Sequence, residues 1–187
     1  MVVSASAADN SSAQEPPASE KQATLGSLGK RTVMDVPWSV QTLSSPLINE
    51  QQLKSVKDVY RYMPSVQGDG VRPQTRGMQG SVVQNHMIDG LNAVSTTEYP
   101  AEQFQSVEVL SGLAGSLYGP ANPAGMFNLV SKRPTDTPLH RVTVGGSTGN
   151  GTLTSMDFSG PIDDGDRVKY RLNLLNDEGH GYTSGSH

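Results

Sequence analysis

Ser147 is the residue whose surroundings most resemble a catalytic motif. The stretch Gly145-Gly146-Ser147-Thr148-Gly149 matches the G-x-S-x-G pattern of a hydrolase nucleophile elbow, and Asp157 and His180 follow in the order of that triad. An elbow needs a strand, a sharp turn and then a helix, whereas Ser147 is followed by Asn150-Gly151 and a second strand pattern. We therefore expect no catalysis at this serine, and a serine hydrolase is kept as an alternative function.

Side chains that commonly hold metals are few and scattered. The chain has no cysteine, and its four histidines show no paired ligand spacing; they are His86, His140, His180 and His187. A formal net charge of −4, without a basic cluster, also disfavours nucleic-acid binding. The sequence therefore predicts a protein that is not an enzyme and that has no intrinsic cofactor or metal.

A glycine-rich unit separates two predicted strands in the middle of the chain. Residues 105–110 alternate as a half-buried strand does, with Val107 and Val109 on one face and Glu108 on the other. The chain is then interrupted by the glycines Gly112, Gly115, Gly119 and Gly125. Such glycines allow tight turns. Residues 126–130 form a second β-prone run, which is stopped by a Lys-Arg-Pro sequence.

Upstream of this unit, the pattern predicts a strand, a helix and a hairpin. Residues 36–43 are expected to form the strand. The helix should start at Asn49, with Gln52 as its capping partner, and should end before Pro64. Its buried stripe would consist of the apolar residues Leu53, Val56, Tyr60 and Met63. Asp89-Gly90, which follows an apolar run, predicts a hairpin turn.

Beyond Pro138 the chain alternates between apolar and polar residues. Asn150-Gly151 should make a hairpin turn between the first two strands of this region. The residues expected to share apolar faces are Val142 and Val144, then Thr154, Met156 and Phe158, and finally Tyr170, Leu172 and Leu174. A membrane barrel strand requires this alternation, with lipid outside and a wet lumen within. A solvated antiparallel sheet with one packed face is the alternative.

The N-terminal segment has a composition that disfavours packing. Residues 4–29 are rich in Ser, Ala, Gln, Glu and Pro, and almost no large apolar residue precedes Leu25. Such a segment buries too little surface to offset its ordering entropy, so we predict a disordered arm. No run approaches the roughly 20 apolar residues of a spanning helix. No signal-peptide pattern is found, so an exported protein would be present here in mature or shortened form.

Several of these segments together resemble a known family. The order VEVLSG, SLYGPANPAG, MFNLVSKRP between Val107 and Pro134 resembles the second half of the plug domain of TonB-dependent outer-membrane receptors, especially siderophore receptors. PWSVQTLS and LKSVKDVYRYMPSVQ, within residues 37–67, resemble the opening strand and first helix of that domain. Residues 75–78 and 88–92 resemble its Arg-Gly and Asp-Gly motifs.

The resemblance implies an α+β fold in three parts. Residues 1–31 would be a disordered periplasmic arm, and residues 32–136 a small mixed-sheet plug domain with short helices. Residues 137–187 would be the first antiparallel strands of an incomplete outer-membrane β-barrel. The implied function is to gate the barrel during uptake of a ferric siderophore, which is the transported ligand. Haem and vitamin receptors share this plug, and a plug-like soluble binding module without transport is a further alternative.

An energy-coupling contact is also implied at the N-terminus. Val2, Val3, Ser4 and Ala5 would form the TonB box, which pairs as an added strand with TonB, the partner of ExbB and ExbD. The acidic residue and threonine common in that box are missing here. The implied location is the outer membrane, with the plug inside the barrel lumen and the arm in the periplasm.

The resemblance finally implies ligand and barrel contacts in the central loops. Arg72, Gln74 and Tyr99 would touch the ferric chelate, because an aromatic ring with polar neighbours suits an amphipathic ligand. Arg76 would face carboxylates of the barrel wall, since a buried arginine needs such partners. The alternatives are ordinary polar loop residues and a solvent-exposed arginine on an edge strand.

Overall fold

The computed structural model of the chain describes residues 3–6, 22–24, 29–68, 71–112, 119, 122–147, 151–163 and 167–178. The chain forms two compact units. We call residues 15–132 the plug unit, and residues 1–14 together with 133–187 the strand unit. No helix in the described ranges has the length and apolar character needed to span a bilayer.

The elements within the described ranges are short strands and shorter helices. The strands are β1 Val3–Ser6, β2 Gln22–Thr24, β3 Lys30–Thr32, β4 Ser39–Ser44, β5 Val66–Gly68, β6 Pro73–Thr75, β7 Met78–Gln79, β8 His86–Ile88, β9 Leu91–Asn92, β10 Phe104–Ser111, β11 Met126–Ser131, β12 Leu139–Ser147, β13 Gly151–Pro161 and β14 Lys169–Glu178. The α-helices are α1 Ser45–Glu50 and α2 Val56–Arg61, and the 3-10 helices are Val33–Asp35 and Ala101–Gln103.

A five-stranded mixed sheet, which we call the central sheet, organises the plug unit. Its strand order is β4-β10-β11-β8-β9. β8 runs parallel to β11, whereas the other neighbouring strands are antiparallel. The predicted α+β class with a small mixed sheet and short helices is confirmed.

Both faces of β10 are buried, so the prediction of a half-buried strand was wrong. Val107 and Val109 are fully buried on one face. Glu108, on the other face, is only 5% exposed, and its carboxylate accepts a 2.9 Å hydrogen bond from the Asn128 side-chain amide. Apolar clusters cover both faces of the sheet. The alternation of apolar and polar residues within one strand does not predict this. A buried carboxylate needs such a donor.

Two apolar clusters cover the two faces of the central sheet. The larger includes residues of α1, α2, β10 and β11; its buried members are Ile48, Val56, Val59, Tyr60, Met63, Val66, Ala101, Phe104, Val107, Val109, Phe127 and Leu129. The smaller is built on Met87, Leu110 and Met126, with Trp38 packed against it. Burial of these side chains provides the main favourable term for folding of the unit.

The predicted single helix is two short helices. The first helix, α1, begins at Ser45, earlier than predicted, because Pro46 in its first turn favours a helix start. After α1, Gln52 adopts a φ of 53°, and this left-handed residue changes the direction of the backbone before α2. The capping box lies at Ser55 and Asp58, not at Asn49 and Gln52. Ser55 has the hydroxyl that a capping box favours, which explains the correction. The predicted stripe is still buried at Val56, Tyr60 and Met63.

The Asp89-Gly90 hairpin is confirmed between β8 and β9. Asp89 and Gly90 have φ values of 53° and 78°, the signs that a type I′ turn requires. The Asp89 carboxylate accepts a 2.8 Å hydrogen bond from the Ser131 amide, and the Gly90 amide donates to the Asn128 side-chain oxygen at 2.9 Å. The turn is therefore tied to β11 by side chains as well as by backbone pairing.

Two short strands lie within the segment that was predicted to be a disordered arm. β1 pairs antiparallel with β12, and β2 pairs antiparallel with β3. Ala23 of β2 is buried. Backbone pairing to an available strand satisfies hydrogen bonds without large apolar side chains, so composition alone missed these strands.

The strand unit is an open antiparallel sheet with the order β1-β12-β13-β14. The predicted alternation is confirmed: Met156 lies opposite both Val142 and Leu174, in a row on one face. Gly151 was predicted to be a turn residue, but it is the first residue of β13 and pairs with Ser147. The predicted turn residue Asn150 lies outside the described residues, as do residues 164–166 between β13 and β14.

We predict that Ser55→Ala lowers the free energy of unfolding of the plug unit by about 1 kcal/mol, because the Asp58 amide at the start of α2 loses the hydroxyl oxygen that accepts its hydrogen bond. Chemical denaturation followed by Trp38 fluorescence measures this change. Thr97→Ala, at an exposed position, is the control and should leave the midpoint unchanged. Equal midpoints for both variants and the wild type would contradict the role of the cap.

Candidate functional site

The central sheet has two ends, and they differ in composition. At the end that we call the exit end, β11 finishes at Ser131 and the chain continues to Lys132. At the other, which we call the glycine end, β10 finishes beside Gly112 and β11 begins after Gly125. Residues 113–118, between these glycines, lie outside the described residues. The predicted ligand residues divide between the two ends.

Asn85 holds the turn at the glycine end. Its side chain is fully buried, and its amide donates to the carbonyls of Asn122 and Gly125 at 3.1 and 2.5 Å. Its side-chain oxygen accepts a 2.8 Å hydrogen bond from the Ser81 amide. One asparagine thus connects two loops that are about 40 residues apart in sequence. The motifs did not point to this residue, because its partners are backbone groups distant in sequence.

Gly125 is required by the close approach of β10. Its φ is +101°, and a Cβ added there would lie only 2.3 Å from the Leu110 carbonyl oxygen. The Thr75 hydroxyl donates to the neighbouring Ala124 carbonyl, so the end of β6 is bonded to the same turn. The sequence prediction of special backbone geometry in the glycine-rich unit is confirmed at this position.

Three of the predicted site residues lie on or beside β6. Gln74 is half-buried within β6, opposite Gln67 and Gln79, and Arg72 is exposed just before the strand. Arg76 follows β6 with a φ of 53° and is also exposed. A Cβ added to Gly112 would lie 3.5 Å from Nη1 of Arg76, which locates this arginine at the glycine end.

Tyr99 lies at the exit end, apart from the other predicted ligand residues. Its ring packs edge-on against Phe104, with ring centroids 6.2 Å apart, and its carbonyl accepts a 3.1 Å hydrogen bond from the Val56 amide. Phe104 is paired with Ser131, the last residue of β11. The structure therefore brings Gln74 and Arg76 to one end of the sheet and places Tyr99 at the opposite end.

His86 is a buried titratable residue that the sequence interpretation did not use. Its ring stacks on Phe127 with centroids 5.7 Å apart, and Nε2 has no hydrogen-bond partner among the described residues. Burial lowers the pKa of His86, and a hydrogen bond with the Val71 backbone opposes that shift in part. The neutral imidazole is therefore the favoured form in the folded plug unit.

The predicted TonB box overlaps an edge strand. Val2 lies outside the described residues, whereas the backbone of Val3–Ser6 forms β1, with Val3 opposite Val144 and Ala5 opposite Val142. Within the described residues β1 is the last strand of its sheet, so one row of its backbone groups has no strand partner. The segment thus adopts the extended conformation that strand addition requires.

The residues of the alternative hydrolase do not form a triad in the described structure. Ser147 ends β12 and pairs with the first residue of β13, so no helix follows it as an elbow requires. The Asp157 carboxylate is buried and accepts two hydrogen bonds from Arg171, at 3.0 and 2.7 Å. His180 lies outside the described residues. No group of three or more candidate metal ligands occurs in the ranges that the structure covers.

Comparison with known proteins decides the family. The profile of the family described as TonB-dependent Receptor Plug Domain matches residues 32–126, just over half of the chain. The chain belongs to this plug-domain family. The match spans the helices, the glycine end and the first residue of β11, so the elements within residues 32–126 are those of a plug domain.

Curated relatives of this plug domain are much longer receptors. The ferrichrome outer membrane transporter/phage receptor of Escherichia coli strain K12 is 29% identical over 205 residues, covering 100% of this chain and 27% of that protein. The ferrichrome receptor FcuA of Yersinia enterocolitica is 29% identical over 167 residues, covering 83% of this chain and 22% of that protein. The chain therefore spans about a quarter of the length of these relatives.

Solved structures support the same architecture. The pyoverdine receptor FpvA of Pseudomonas aeruginosa PAO1 aligns with a TM-score of 0.79 at 20% identity, over 88% of this chain and 26% of that chain. BauA, the ferric preacinetobactin receptor of Acinetobacter baumannii, aligns with a TM-score of 0.77 at 20% identity, over 91% of this chain and 27% of that chain. At this identity the similarity shows the fold alone.

We predict that Asn85→Ala lowers the free energy of unfolding of the plug unit by about 3 kcal/mol, because one buried carbonyl, one partly buried carbonyl and one amide lose their partner. Denaturant titration measures the loss. Gln84→Ala changes the exposed neighbouring residue and should have no more than a small effect. A similar loss in both variants would show that Asn85 has no special role.

We predict that acid destabilises the plug unit through His86. Because burial lowers its pKa below the unfolded value of 6.5, the unfolded state binds the proton more readily. The stabilising contribution is therefore fully present above about pH 6.5 and is lost as pH falls through the lower pKa of the folded state.

Denaturation midpoints measured from neutral to acidic pH test this prediction. His86→Phe should show a shallower loss of stability on acidification than the wild type. His140→Gln, at an exposed position, should retain the wild-type slope. Identical slopes in all three proteins would exclude His86 as the group responsible.

Proposed function

We propose that this chain is the plug and the first barrel strands of a TonB-dependent outer-membrane receptor that takes up ferric siderophores. The observation that carries the proposal is a family-matched plug unit followed directly by amphipathic antiparallel strands. The proposed role is transport: the plug gates the barrel and contributes to ligand binding, and no bond of the ligand is made or broken. The ferric siderophore is cargo, and no resident cofactor takes part.

The strand unit supports a location in the outer membrane. On β14, Leu172 and Leu174 are 48% and 49% exposed. On the opposite face of the sheet, Ser155, Asp157 and Ser159 of β13 are buried. A water-soluble sheet normally has the reverse pattern, whereas a barrel strand presents apolar residues to lipid and polar ones to the lumen. This pattern supports our proposal that β12–β14 belong to the wall of a barrel whose lumen holds the plug.

The glycine end is the proposed ligand-facing end of the plug. Arg72 and Gln74 lie there on or beside β6, and their donors suit the oxygen-rich surface of a ferric chelate. Arg76, also at this end, is proposed to face carboxylates of the barrel wall. Tyr99 packs on Phe104 at the exit end, which favours a structural role for it. Several curated relatives are named for ferrichrome, ferrioxamine B or pyoverdine, so a ferric siderophore is the proposed ligand class.

Energy coupling is proposed to act through the N-terminal arm. Residues 2–5 would be the TonB box in the periplasm, and TonB, driven by ExbB and ExbD, would add a strand to them. The extended conformation of β1 supports this, because strand addition relies on backbone hydrogen bonds. Traction on the arm would then remodel part of the plug unit.

We predict that the periplasmic C-terminal domain of TonB binds both a peptide of residues 1–9 and the whole chain in detergent. Val3→Pro should weaken both interactions about tenfold, because proline removes a backbone donor and fixes φ. Isothermal titration calorimetry measures the affinities.

Ala13→Pro is the matched control, since it introduces the same residue into the arm outside the proposed box. It should leave the affinity unchanged. If neither the peptide nor the folded chain binds TonB, or if both proline variants weaken binding equally, the proposed box is wrong.

A further inference from the structure

The six residues 133–138, which we call the linker, lie along the strands of the strand unit. The Arg133 carbonyl accepts a 2.8 Å hydrogen bond from Nη1 of Arg171 in β14. Two residues later, the Thr135 amide donates to the hydroxyl of Ser159 in β13 at 2.9 Å. The linker is therefore bonded to side chains of two different strands.

The second half of the linker follows the same strands. The carboxylate of Asp136 forms an ion pair with the Lys169 ammonium at the start of β14. Pro138 lies against Gly160, where an added Cβ would come within 3.2 Å of the proline Cα. Gly160 thus permits a close approach of the linker, which would have to shift by a few tenths of an ångström to accommodate a Cβ at this position.

A buried ion pair orients the group that binds Arg133. The side chains of Arg171 and Asp157 are 8% and 1% exposed, and their two parallel hydrogen bonds form the fork that arginine makes with a carboxylate. That fork uses Nε and Nη2, which leaves Nη1 directed at the linker. Because a buried two-bond pair has little freedom to rotate, the position of Nη1 is fixed in advance.

Ser159 is oriented in a similar way. It is fully buried, and its hydroxyl donates a 2.9 Å hydrogen bond to the Tyr170 carbonyl. With its only proton directed to β14, the oxygen is left as an acceptor for the Thr135 amide. The Arg171 and Ser159 groups that bind the linker are therefore oriented by their hydrogen bonds to Asp157 and to the Tyr170 carbonyl.

Lys132, the residue before the linker, is bonded to residues of the plug unit. The Lys132 amide donates to the Gln103 carbonyl at 3.1 Å, and its buried ammonium pairs with Glu102 at 3.0 Å. Lys132 is thus bonded to the plug unit through Gln103 and Glu102, and the next residue, Arg133, is bonded to β14 through Arg171. The boundary between the two compact units falls at the Lys132–Arg133 peptide bond.

We propose that Asp157, Ser159 and Arg171 form an anchor that holds the linker on the strand unit, so that remodelling of the plug unit stops at the Lys132–Arg133 bond. This inference rests on the proposed function, in which traction remodels the plug. Release of the linker would add six residues of slack, about 20 Å when extended, between the plug and the strands. The anchor keeps the point where the plug unit ends, at Lys132, in place while other parts of the unit are remodelled.

Residue-resolved hydrogen exchange of the whole chain in detergent, over a series of denaturant concentrations, tests the anchor. In the wild type, the Thr135 amide should exchange with the same denaturant dependence as amides of β13, and not with those of β11. Ser159→Ala should accelerate exchange at Thr135 about tenfold, because its acceptor is lost, and should leave β11 amides unchanged.

Arg171→Lys is a second variant, which retains the charge toward Asp157 and loses the fork that directs Nη1. It should accelerate exchange at Thr135 as well. Arg167→Lys is the matched control, because Arg167 also pairs with an aspartate near β14 but is exposed. It should leave Thr135 unchanged.

The anchor is overturned if wild-type Thr135 exchanges together with β11, or if neither variant changes its rate. These outcomes are separate from failure of the transport proposal. Exchange at Thr135 reports where the linker is held whether or not TonB binds, and the TonB titration does not depend on the linker.

Discussion

The pairing of β10 with β11 is the constraint on which the plug unit depends. These strands form the middle of the central sheet, and both faces of the pair are buried. Phe127 and Val109 face the helices on one side, while Glu108 and Asn128 form a buried polar pair on the other. A shift of one residue would exchange these faces, placing the carboxylate among apolar side chains. The register is therefore strongly specified, and the β8–β9 hairpin is tied to it through Asn128.

The two units differ in which side chains they bury. The plug unit buries apolar side chains on both faces of its sheet, as a water-soluble domain does. In the strand unit, Leu172 and Leu174 are exposed while Asp157 and Ser159 are buried. Buried polar groups need partners, and Asp157 and Ser159 find them in Arg171 and in neighbouring backbone groups. The same period of two thus produces a buried core in the plug unit and, in the proposed receptor, the wall of a membrane barrel in the strand unit.

The proposed transport role places different demands on the two ends of the central sheet. The glycine end carries exposed polar side chains on a turn that Asn85 holds from within. The exit end carries the aromatic contact of Tyr99 with Phe104 and the Lys132–Glu102 ion pair. A surface that binds ligand requires side chains held on a fixed backbone. At the end of a unit that unfolds locally, the remodelling must be limited to a defined residue. The anchor on the linker supplies such a point.

Local pattern in the sequence determined β4, β10 and β11, the Asp89-Gly90 hairpin, the special backbone geometry at Gly125 and the alternation beyond Pro138, because these depend on period-two patterning and on turn chemistry between near neighbours. Ordered motifs determined the family. Only the tertiary structure decided that Glu108 is buried, that Tyr99 is separated from Gln74, and that Asn85 and Arg171 hold distant segments. Their partners come from strands or loops many residues away, and several are backbone groups that carry no sequence signal. Which residues meet is therefore set by sheet order and register, which local patterns do not specify.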